Sequence, residues 1–377
     1  MHLNDKSKRN IYYISPYLPK AEKYHNHYSP AAQAKVEYIR SKLKEYNAIT
    51  VCVNCSLTVD DSLFLPEKIT DENGDCILLI SKSSRRRVWL PLCGALMLLS
   101  VFFFILLNVK EKDTVVLYHS VYYDRIVTFL KRIKNFKLIY EVEEIYADVR
   151  DGGAGREKEI SRCEKDADAF IFSTEMLDEI VNINNKKSVI IYGAYKPHKR
   201  TCKEHKKIFI VYSGTLMNGK GATQAVECAQ GLNDQYEVKI IGYGSRDEID
   251  NINNMIKDNI SSCSVKYDGM KFGDEYFEYL SECDIGLCVQ PSENSFNATS
   301  FPSKILNYVN CGLKVVVSDM DTLRKSKLAN YMFFSEDTTP KEIVKAIKKA
   351  QDTDVDYYQI LKALDKDTTT ALNDILV

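Results

Sequence analysis

Short apolar segments typical of buried strands alternate with amphipathic helical segments in two successive runs along the chain. The first run begins with the strand Ile11–Ser15 and ends with a strand at 189–192, and the second begins at 208–214. Strands that alternate with helices favour parallel sheets covered by helices on both faces. Between the runs, the basic segment GAYKPHKRTCKEHKK (193–207) lacks apolar periodicity and is typical of a linker. The sequence therefore predicts an α/β chain with two doubly wound domains.

Composition narrows the functional classes. Lys and Arg total 51 against 52 Asp and Glu, so bulk charge gives no reason to expect a nucleic-acid partner. Eleven cysteines are an odd number, and several lie in apolar segments, as expected of reduced thiols in a cytosolic protein. The pair Cys52 and Cys55 has no second pair or histidine cluster nearby, which disfavours a metal or redox site. The amino terminus, MHLNDKSKRN, lacks the apolar core of an export signal.

One segment is unusually apolar. Twenty uncharged residues, Val88–Leu107, follow Arg85, Arg86 and Arg87, and Trp89 lies near their start. Their length suits a membrane-spanning helix, and the basic flank suits an anionic leaflet. Strand-like segments lie on both sides, however, and a spanning helix would divide one sheet between two faces of a bilayer. We therefore expect a helix that lies in or dips into the inner leaflet through Arg85–Leu107. A buried core helix is the alternative.

Polar residues follow two strands of the first run, at the edge where ligands bind to open α/β sheets. Carboxylates at the end of the strand near 137–141 can orient sugar hydroxyls or accept a proton. A polar surface loop and a solvated acidic edge are the alternatives. The candidates are His25, Asn26, His27 and Tyr28 in the first loop, and Glu141, Glu143 and Glu144 after the later strand.

The stretch NATSFPSKILNYVNCGLKVVVSD, 297–319, predicts a loop, a short helix and a buried strand. The helix begins after Phe301 and Pro302 with Ser303, and Gly312 ends it. A helix that opens beside a parallel sheet presents unpaired N–H groups and a positive dipole end, which suit a phosphate. Lys304 would add a positive charge there. The alternative is an ordinary strand–helix–strand unit.

Four features in the second run, in this order, resemble the second domain of retaining GT-B glycosyltransferases of family four. They are Gly214 with Lys220-Gly221, a strand ending in Gly242-Tyr243-Gly244, Cys283-Asp284-Ile285, and Phe301-Pro302-Ser303-Lys304 with Gly312. The segment YEVEEIYAD is similar to members that assemble bacterial surface polysaccharide. The resemblance implies two Rossmann-like domains facing across a cleft, with an apolar membrane-associating helix in the first. The expected boundaries are 1–195 for the acceptor domain, 196–207 for the linker, 208–350 for the donor domain, and 351–377 for a helix crossing back to the first domain.

The resemblance also implies site residues. Lys220, Ser303 and Lys304 match positions that hold the donor diphosphate, and the glycines shape the nucleotide pocket. Two glutamates found in many members are here Thr299 and Asn307, and an arginine is Thr215. The expected catalytic residues are Lys220, Lys304, Glu141 and Glu143. The expected donor-binding residues are Gly214, Thr215, Gly242, Tyr243, Gly244, Phe301, Pro302, Ser303 and Asn307, and the expected acceptor-binding residues are His25, Asn26, His27, Tyr28 and Glu144.

The resulting hypothesis is a retaining, metal-independent glycosyltransferase at the cytoplasmic face of the membrane, peripheral or monotopic. It would move a sugar from a nucleotide-sugar, a UDP-sugar by preference, to a lipid-linked or glycan acceptor, with no cofactor and no nucleic acid partner. The absence of Asp-x-Asp where a metal-bound diphosphate would need it is the basis for metal independence. Two alternatives stay open: a nucleotide-sugar epimerase of the same fold, and a non-catalytic subunit that supports a partner transferase.

Overall fold

The computed structural model describes residues 9–19, 29–54, 66–80, 90–150, 153–198, 206–291 and 299–376. The chain forms two compact units. Unit 1 contains Met1–Ala194 and Asp367–Val377, and unit 2 contains Tyr195–Lys366. Each unit is built on its own parallel sheet, so the predicted α/β class with two doubly wound sheets is confirmed.

In unit 1, helices follow most strands, as the apolar alternation predicts. In chain order the elements are β1 (Asn10–Ser15), α1 (Pro30–Leu43), β2 (Asn47–Cys52), β3 (Glu67–Asp71), β4 (Gly74–Leu78), α2 (Leu90–Asn108), β5 (Thr114–Tyr118), α3 (Asp124–Lys134), β6 (Lys137–Val142), α4 (Tyr146–Arg150), α5 (Arg156–Asp166), β7 (Ala169–Phe172), α6 (Glu175–Val181) and β8 (Ser188–Ile190).

The sheet of unit 1 has the strand order β3-β4-β2-β1-β5-β6-β7-β8. Its central strands are buried on both faces, which is why they consist almost entirely of apolar residues such as TVVLY in β5. All described pairings are parallel except β3 with β4, which form an antiparallel hairpin at the edge. The strand β3, EKITD, has Ile69 as its single apolar residue, which is too weak an apolar signal for the sequence to predict it.

Helix α2 is the crossover between β4 and β5, and both strands belong to the same sheet. One row of its side chains, spaced four apart (Cys93, Met97, Val101 and Ile105), is buried. Leu99, Phe103 and Leu107 form another row that is exposed by half or more. The length and composition of the helix are sufficient for it to cross a membrane. It is not the wholly buried core helix that was the alternative expectation.

The elements of unit 2 repeat the alternation with a smaller sheet. They are β9 (Ile208–Thr215), α7 (Ala222–Glu227) followed by a 3-10 turn, β10 (Tyr236–Tyr243), α8 (Arg246–Lys257), β11 (Ser264–Tyr267), α9 (Gly273–Ser281), β12 (Ile285–Cys288), α10 (Ser303–Asn310), β13 (Lys314–Ser318), α11 (Asp321–Arg324), β14 (Met332–Ser335), α12 (Pro340–Gln351) and α13 (Tyr357–Leu376).

The strand order in unit 2 is β11-β10-β9-β12-β13-β14, and every pairing is parallel. Helices α7 and α12 contribute to the core beside β9, β10 and β12. The carboxyl ends of β9 and β10 are in register, with Gly214 opposite Gly242. From Asp367 onward, α13 groups with unit 1, where Asn373 accepts a 2.6 Å hydrogen bond from the Tyr46 hydroxyl.

Candidate active site

A cavity of about 400 Å³ lies at the carboxyl ends of β9 and β10 in unit 2. This is the edge at which parallel α/β sheets bind ligands. Nine of the predicted catalytic and donor-binding residues line it: Gly214, Thr215, Lys220, Gly242, Tyr243, Pro302, Ser303, Lys304 and Asn307. Phe301 is buried and Gly244 packs against the start of α8, so neither contributes to the described lining. The sequence therefore brings most of its donor-site candidates into one cavity.

The parallel strands β9 and β10 approach each other closely enough at their carboxyl ends to require glycine. Gly242 has a φ of +145°, and a Cβ atom added there would lie 1.7 Å from the carbonyl oxygen of Gly214. Gly214 has a φ of +143°, and its own Cβ would lie 3.3 Å from the Nζ atom of Lys304. The two glycines therefore let the backbones of both strands, and the ammonium group, meet at the floor of the cavity.

Lys304 lies in the first turn of α10, and its ammonium group is held in place by two contacts. Its Nζ atom is 4.1 Å from the centroid of the Tyr212 ring and donates to the carbonyl oxygen of Lys220 at 3.4 Å. Burial lowers the pKa of Lys304, and repulsion from Lys220 lowers it further, while Cys288 acts in the opposite direction. A bound anion would offset both unfavourable effects.

Tyr212 is a residue that the sequence analysis did not select. It is fully buried in β9, and its hydroxyl donates a shared hydrogen bond to the carbonyl oxygens of Thr215, at 2.7 Å, and Lys220, at 3.0 Å. It thus holds both ends of the loop that carries Lys220, while its ring lies beneath the Lys304 ammonium group. In the apolar strand segment IFIVYSG, a tyrosine is expected to be an ordinary core residue. Its hydroxyl group is the one feature in the sequence that could have indicated a further role.

Lys220 lies just before α7 and lines the cavity. Its backbone N–H donates to the carbonyl oxygen of Met217 at 3.2 Å, which closes the loop into a turn. Burial lowers the pKa of its side chain. Two ammonium groups whose charged forms are both disfavoured by their surroundings create a strong attraction for a polyanion.

The amino end of α10 opens onto the same cavity. Ser303 is the first helical residue, and Pro302 before it makes no side-chain capping bond. The first turn contains no acidic residue, so the positive end of the helix dipole is not neutralised from within the helix. Backbone amides, the helix dipole and two lysines together form a site suited to a diphosphate.

Tyr308 fixes the orientation of α10. Its hydroxyl accepts from the Ser213 backbone N–H at 2.8 Å and donates to the Leu287 carbonyl oxygen at 3.2 Å, which joins α10 to β9 and β12. A Cβ atom at Gly286 would lie 2.3 Å from the Tyr308 ring. Gly286 is therefore required for this ring to lie against the strand, and the ring in turn places Lys304.

Asn307 and Tyr276 form a neutral polar pair on the wall of the cavity. The Asn307 side-chain amide donates to the Tyr276 hydroxyl at 3.1 Å, and that hydroxyl lies 3.0 Å from the Ser213 hydroxyl. Tyr276, on α9, was also missed by the sequence analysis. Thr299 is buried and does not belong to the described lining. The amide and phenol can bind sugar hydroxyls without a charge.

In unit 1, the structure encloses the predicted carboxylates. Glu141 is fully buried, and one of its oxygens accepts a 2.6 Å hydrogen bond from the Tyr13 hydroxyl. Burial, together with the charge of Glu143, raises the pKa of Glu141 to about 8, so it is largely protonated at neutral pH. Glu143 is paired with the buried Lys35. In this structure Glu141 is out of reach of a substrate, and the catalytic roles of both glutamates stay predictions.

The structure describes one of the five predicted acceptor-binding residues, Glu144. Glu144 is half-buried beside this pair, and His25, Asn26, His27 and Tyr28 lie outside the described residues. Among the residues that the structure describes, no group of three or more His, Cys, Asp or Glu side chains is arranged to hold a metal ion.

Comparison with known families gives one match in the sequence. The family described as "Glycosyl transferases group 1" matches residues 207–352, which lie within unit 2 and contain the cavity. No curated protein matches the chain. The predicted enzyme class, a glycosyltransferase, is confirmed.

Solved structures share the architecture of both units. An E. coli structure described as trehalose-6-phosphate bound with UDP-2-fluoro glucose is 11% identical, with a TM-score of 0.65 over 97% of this chain and 96% of its own. The N-terminal domain of Candida albicans trehalose-6-phosphate phosphatase is 12% identical, with a TM-score of 0.66 over 98% and 97%. An alpha,alpha-trehalose-phosphate synthase (UDP-forming) from Burkholderia xenovorans, in complex with glucose-6-phosphate, is 11% identical, with a TM-score of 0.61 over 97% of each chain. Such likenesses establish a two-domain GT-B-like fold.

Proposed function

We propose that this glycosyltransferase transfers a sugar from a nucleoside diphosphate donor, with UDP as the leaving group, and that the cavity of unit 2 binds the donor. The observation that carries the proposal is the convergence of Lys220, Lys304 and the amino end of α10 on one cavity at the sheet edge. A diphosphate with two or three negative charges matches this arrangement of donors.

The chemistry follows from where charge develops. As the glycosidic bond to the donor phosphate breaks, negative charge grows on the leaving diphosphate. Lys220, Lys304 and the first-turn amides of α10 face that charge in a partly buried site, so they stabilise the transition state more than the ground state. Because these groups supply positive charge without a metal, we propose metal-independent transfer. Retention of configuration and membership of family four are proposed from the sequence resemblance.

The choice of UDP is supported by the structural neighbours. One of them is bound with UDP-2-fluoro glucose, and another is described as UDP-forming. The neutral pair Asn307 and Tyr276 provides hydroxyl-binding groups on the cavity wall, where a ribose or the transferred sugar can be held.

We propose a membrane-linked acceptor in surface polysaccharide assembly, with the enzyme at the inner leaflet. The support is the exposed row Leu99, Phe103 and Leu107 on α2, together with exposed Phe129 and Ile133 on the adjacent α3. Since α2 connects two strands of one sheet, an orientation along the membrane surface leaves that sheet intact, whereas a crossing would divide it. The basic Arg85–Arg87 and Trp89 lie outside the described residues.

Flotation with lipid vesicles tests the proposed membrane contact through α2. Wild-type protein should float with vesicles that contain phosphatidylglycerol, and the variant Phe103→Ser/Leu107→Ser should float less. Ile183→Ser, which removes an equally exposed apolar side chain elsewhere in unit 1, is the matched control. Equal flotation of all three proteins would contradict membrane contact through α2.

Two alternatives to a transferase are a nucleotide-sugar epimerase and a non-catalytic subunit. The match to glycosyltransferases over residues 207–352 disfavours an epimerase. A non-catalytic subunit is supported by Thr299 and Asn307, which lack the charge of glutamate, but the lysine pair in the cavity favours catalysis.

The test is a transfer assay with a panel of nucleotide sugars and bacterial membranes, followed by analysis of labelled lipid and of free UDP. We expect one UDP-sugar to label a lipid product, with the same rate in EDTA as in manganese. UDP binding with no transfer to any acceptor would favour the non-catalytic subunit. Loss of transfer in EDTA, with recovery in manganese, would contradict metal independence.

A further inference from the structure

A second cavity, of about 350 Å³, lies in unit 1 and contains none of the acceptor-site candidates selected from the sequence. Its lining includes Val121 and Tyr146, which follow β5 and β6, so it opens at the carboxyl edge of the sheet. Arg125 of α3 and Arg162 of α5 also line it. We call this site the arginine pocket. Its size suits a phosphate group with a small portion of the molecule that carries it.

The two arginines differ from other arginines of unit 1 in their partners. Arg40 pairs with Asp71, Arg132 with Asp166 and Arg156 with Asp148, each at 3.0 Å or less. Among the described residues, no carboxylate lies within ion-pair distance of the guanidinium group of Arg125 or Arg162. Arg125 and Arg162, which lack such a partner, therefore face the same cavity.

The carboxylate in the pocket wall, Glu159, already accepts hydrogen bonds from the backbone. The oxygens of Glu159 accept hydrogen bonds from the backbone N–H groups of Tyr146, at 2.7 Å, and Ala147, at 2.9 Å. Behind it, burial raises the pKa of Asp124 to about 8, and burial lowers the pKa of His119 to about 4. At neutral pH both groups are therefore largely uncharged, so neither adds negative charge beside the arginines.

The start of α5 also lies at the pocket. Gly155 precedes the eleven residues of α5, adopts a left-handed φ of +84° and lines the pocket, while the first turn of the helix carries Glu157 and Glu159. Because these carboxylates offset the helix dipole, the arginines are the groups that favour a phosphate, whose oxygens guanidinium groups bind through paired N–H donors.

We propose that the arginine pocket binds a phosphate group of the acceptor. The inference rests on the proposed function, since it assigns a place in unit 1 to the second substrate. The phosphate has two chemical sources, a lipid phosphate and a soluble sugar phosphate. Phe129 and Ile133 continue from Arg125 at four-residue spacing along one exposed face of α3, so an apolar chain attached to the phosphate has a surface to lie on.

The test is equilibrium binding to the full chain, with farnesyl phosphate and glucose 6-phosphate as the two probes and UDP as a reference ligand. Arg125→Gln and Arg162→Gln should each weaken binding of the phosphate probe about tenfold or more, the scale of a hydrogen bond to a charged group. Arg132→Gln, on the same helix as Arg125, should change it less than about twofold, because its partner Asp166 lies outside the pocket. UDP affinity should be the same in all of them.

The probes also distinguish the sources. Arginine-dependent binding of farnesyl phosphate alone, weakened by Phe129→Ser/Ile133→Ser, supports a lipid phosphate. Arginine-dependent binding of glucose 6-phosphate supports a soluble one. The inference is overturned if neither probe binds the wild-type chain, or if a probe binds Arg125→Gln and Arg132→Gln equally well. Either result counts even if UDP still binds. Failure of UDP to bind the wild-type chain would instead contradict the proposed function.

Discussion

Ionisable side chains lie near the carboxyl edges of both sheets, but the two units bury them to different effect. In unit 2, Lys220 and Lys304 face a cavity. In unit 1, Glu141 and Asp124 are enclosed at the ends of neighbouring elements, and burial raises the pKa of each to about 8. Unit 2 opens its desolvated lysines to a cavity, whereas unit 1 keeps these two carboxyl groups protonated inside the protein and presents positive charge in the separate arginine pocket.

The difference between the two units shows that a shifted pKa alone does not identify a functional group. A raised carboxyl pKa at a sheet edge is typical of catalytic acids, but it arises equally from enclosure in a core. Glu141 has the second origin here, since its partner is the Tyr13 hydroxyl and its side chain has no access to solvent. The lysines, by contrast, are desolvated and yet open to the cavity, which is the condition for binding an anion.

The largest expected effect is on the lysines of unit 2. Lys304→Ala and Lys220→Ala should each lower kcat/KM for the donor by about a hundredfold or more, the scale of losing one donor that stabilises a developing anion. Lys341→Ala, which removes an exposed lysine of α12, is the matched control and should have little effect. Steady-state kinetics measure the change. Full activity in both Lys304→Ala and Lys220→Ala would show that the lysines of unit 2 do not bind the donor.

An intermediate effect is expected at Tyr212, and it tests whether this residue positions the lysines. Tyr212→Phe keeps the ring beneath Lys304 and loses the shared hydrogen bond to the loop, so donor KM should rise by about tenfold. Tyr212→Leu also loses the cation–π contact, so kcat should fall as well.

The pH profile separates positioning from general destabilisation. Without the ring, the charged form of Lys304 loses stabilisation and its pKa falls further, so the alkaline limb of kcat/KM should move to lower pH in Tyr212→Leu but not in Tyr212→Phe. Tyr236→Phe, at the opposite end of the sheet, controls for loss of a hydroxyl. Identical profiles for the Leu and Phe variants would show that Tyr212 is only structural.

The smallest effect on transfer is expected at Glu141. Because Glu141 is largely protonated at neutral pH, Glu141→Gln should change kcat/KM by less than about threefold. Its raised pKa makes the folded state bind the proton more tightly than the unfolded state. The wild-type free energy of unfolding should therefore fall as pH rises from the ordinary carboxyl pKa of 4.5 towards about 8.

Glu141→Gln should lose this part of the pH dependence, which chemical denaturation at several pH values measures. Asp124→Asn is a useful second variant, because Asp124 has a pKa raised in the same direction. A loss of transfer of a hundredfold in Glu141→Gln with an unchanged unfolding midpoint would restore Glu141 as a catalytic residue.

The sequence predicted the parts of the molecule that depend on local pattern. Alternating apolar strands predicted the sheets, and the glycines near the ends of β9 and β10 predicted the floor of the cavity, because few other residues adopt a positive φ. The helix after Pro302 begins at Ser303 as expected, since proline before a helix and an apolar face within it are strong local signals.

The missed residues depend on tertiary contacts. Tyr212, Tyr276 and Tyr308 occupy positions where an aromatic residue is usually a core residue, and only the folded chain places their hydroxyls beside Thr215, Asn307 and Ser213. The arginine pocket was invisible for the same reason, because Arg125 and Arg162 are far apart in sequence and each lies on an ordinary amphipathic helix. Burial of Glu141 likewise depends on neighbouring strands rather than on its own segment.

A crystal structure of the chain with UDP would show whether the cavity of unit 2 holds a donor diphosphate. We expect the diphosphate to lie within hydrogen-bonding distance of Lys220, Lys304 and the backbone amides at the start of α10. UDP bound at any other place, or a diphosphate that contacts neither lysine, would contradict it.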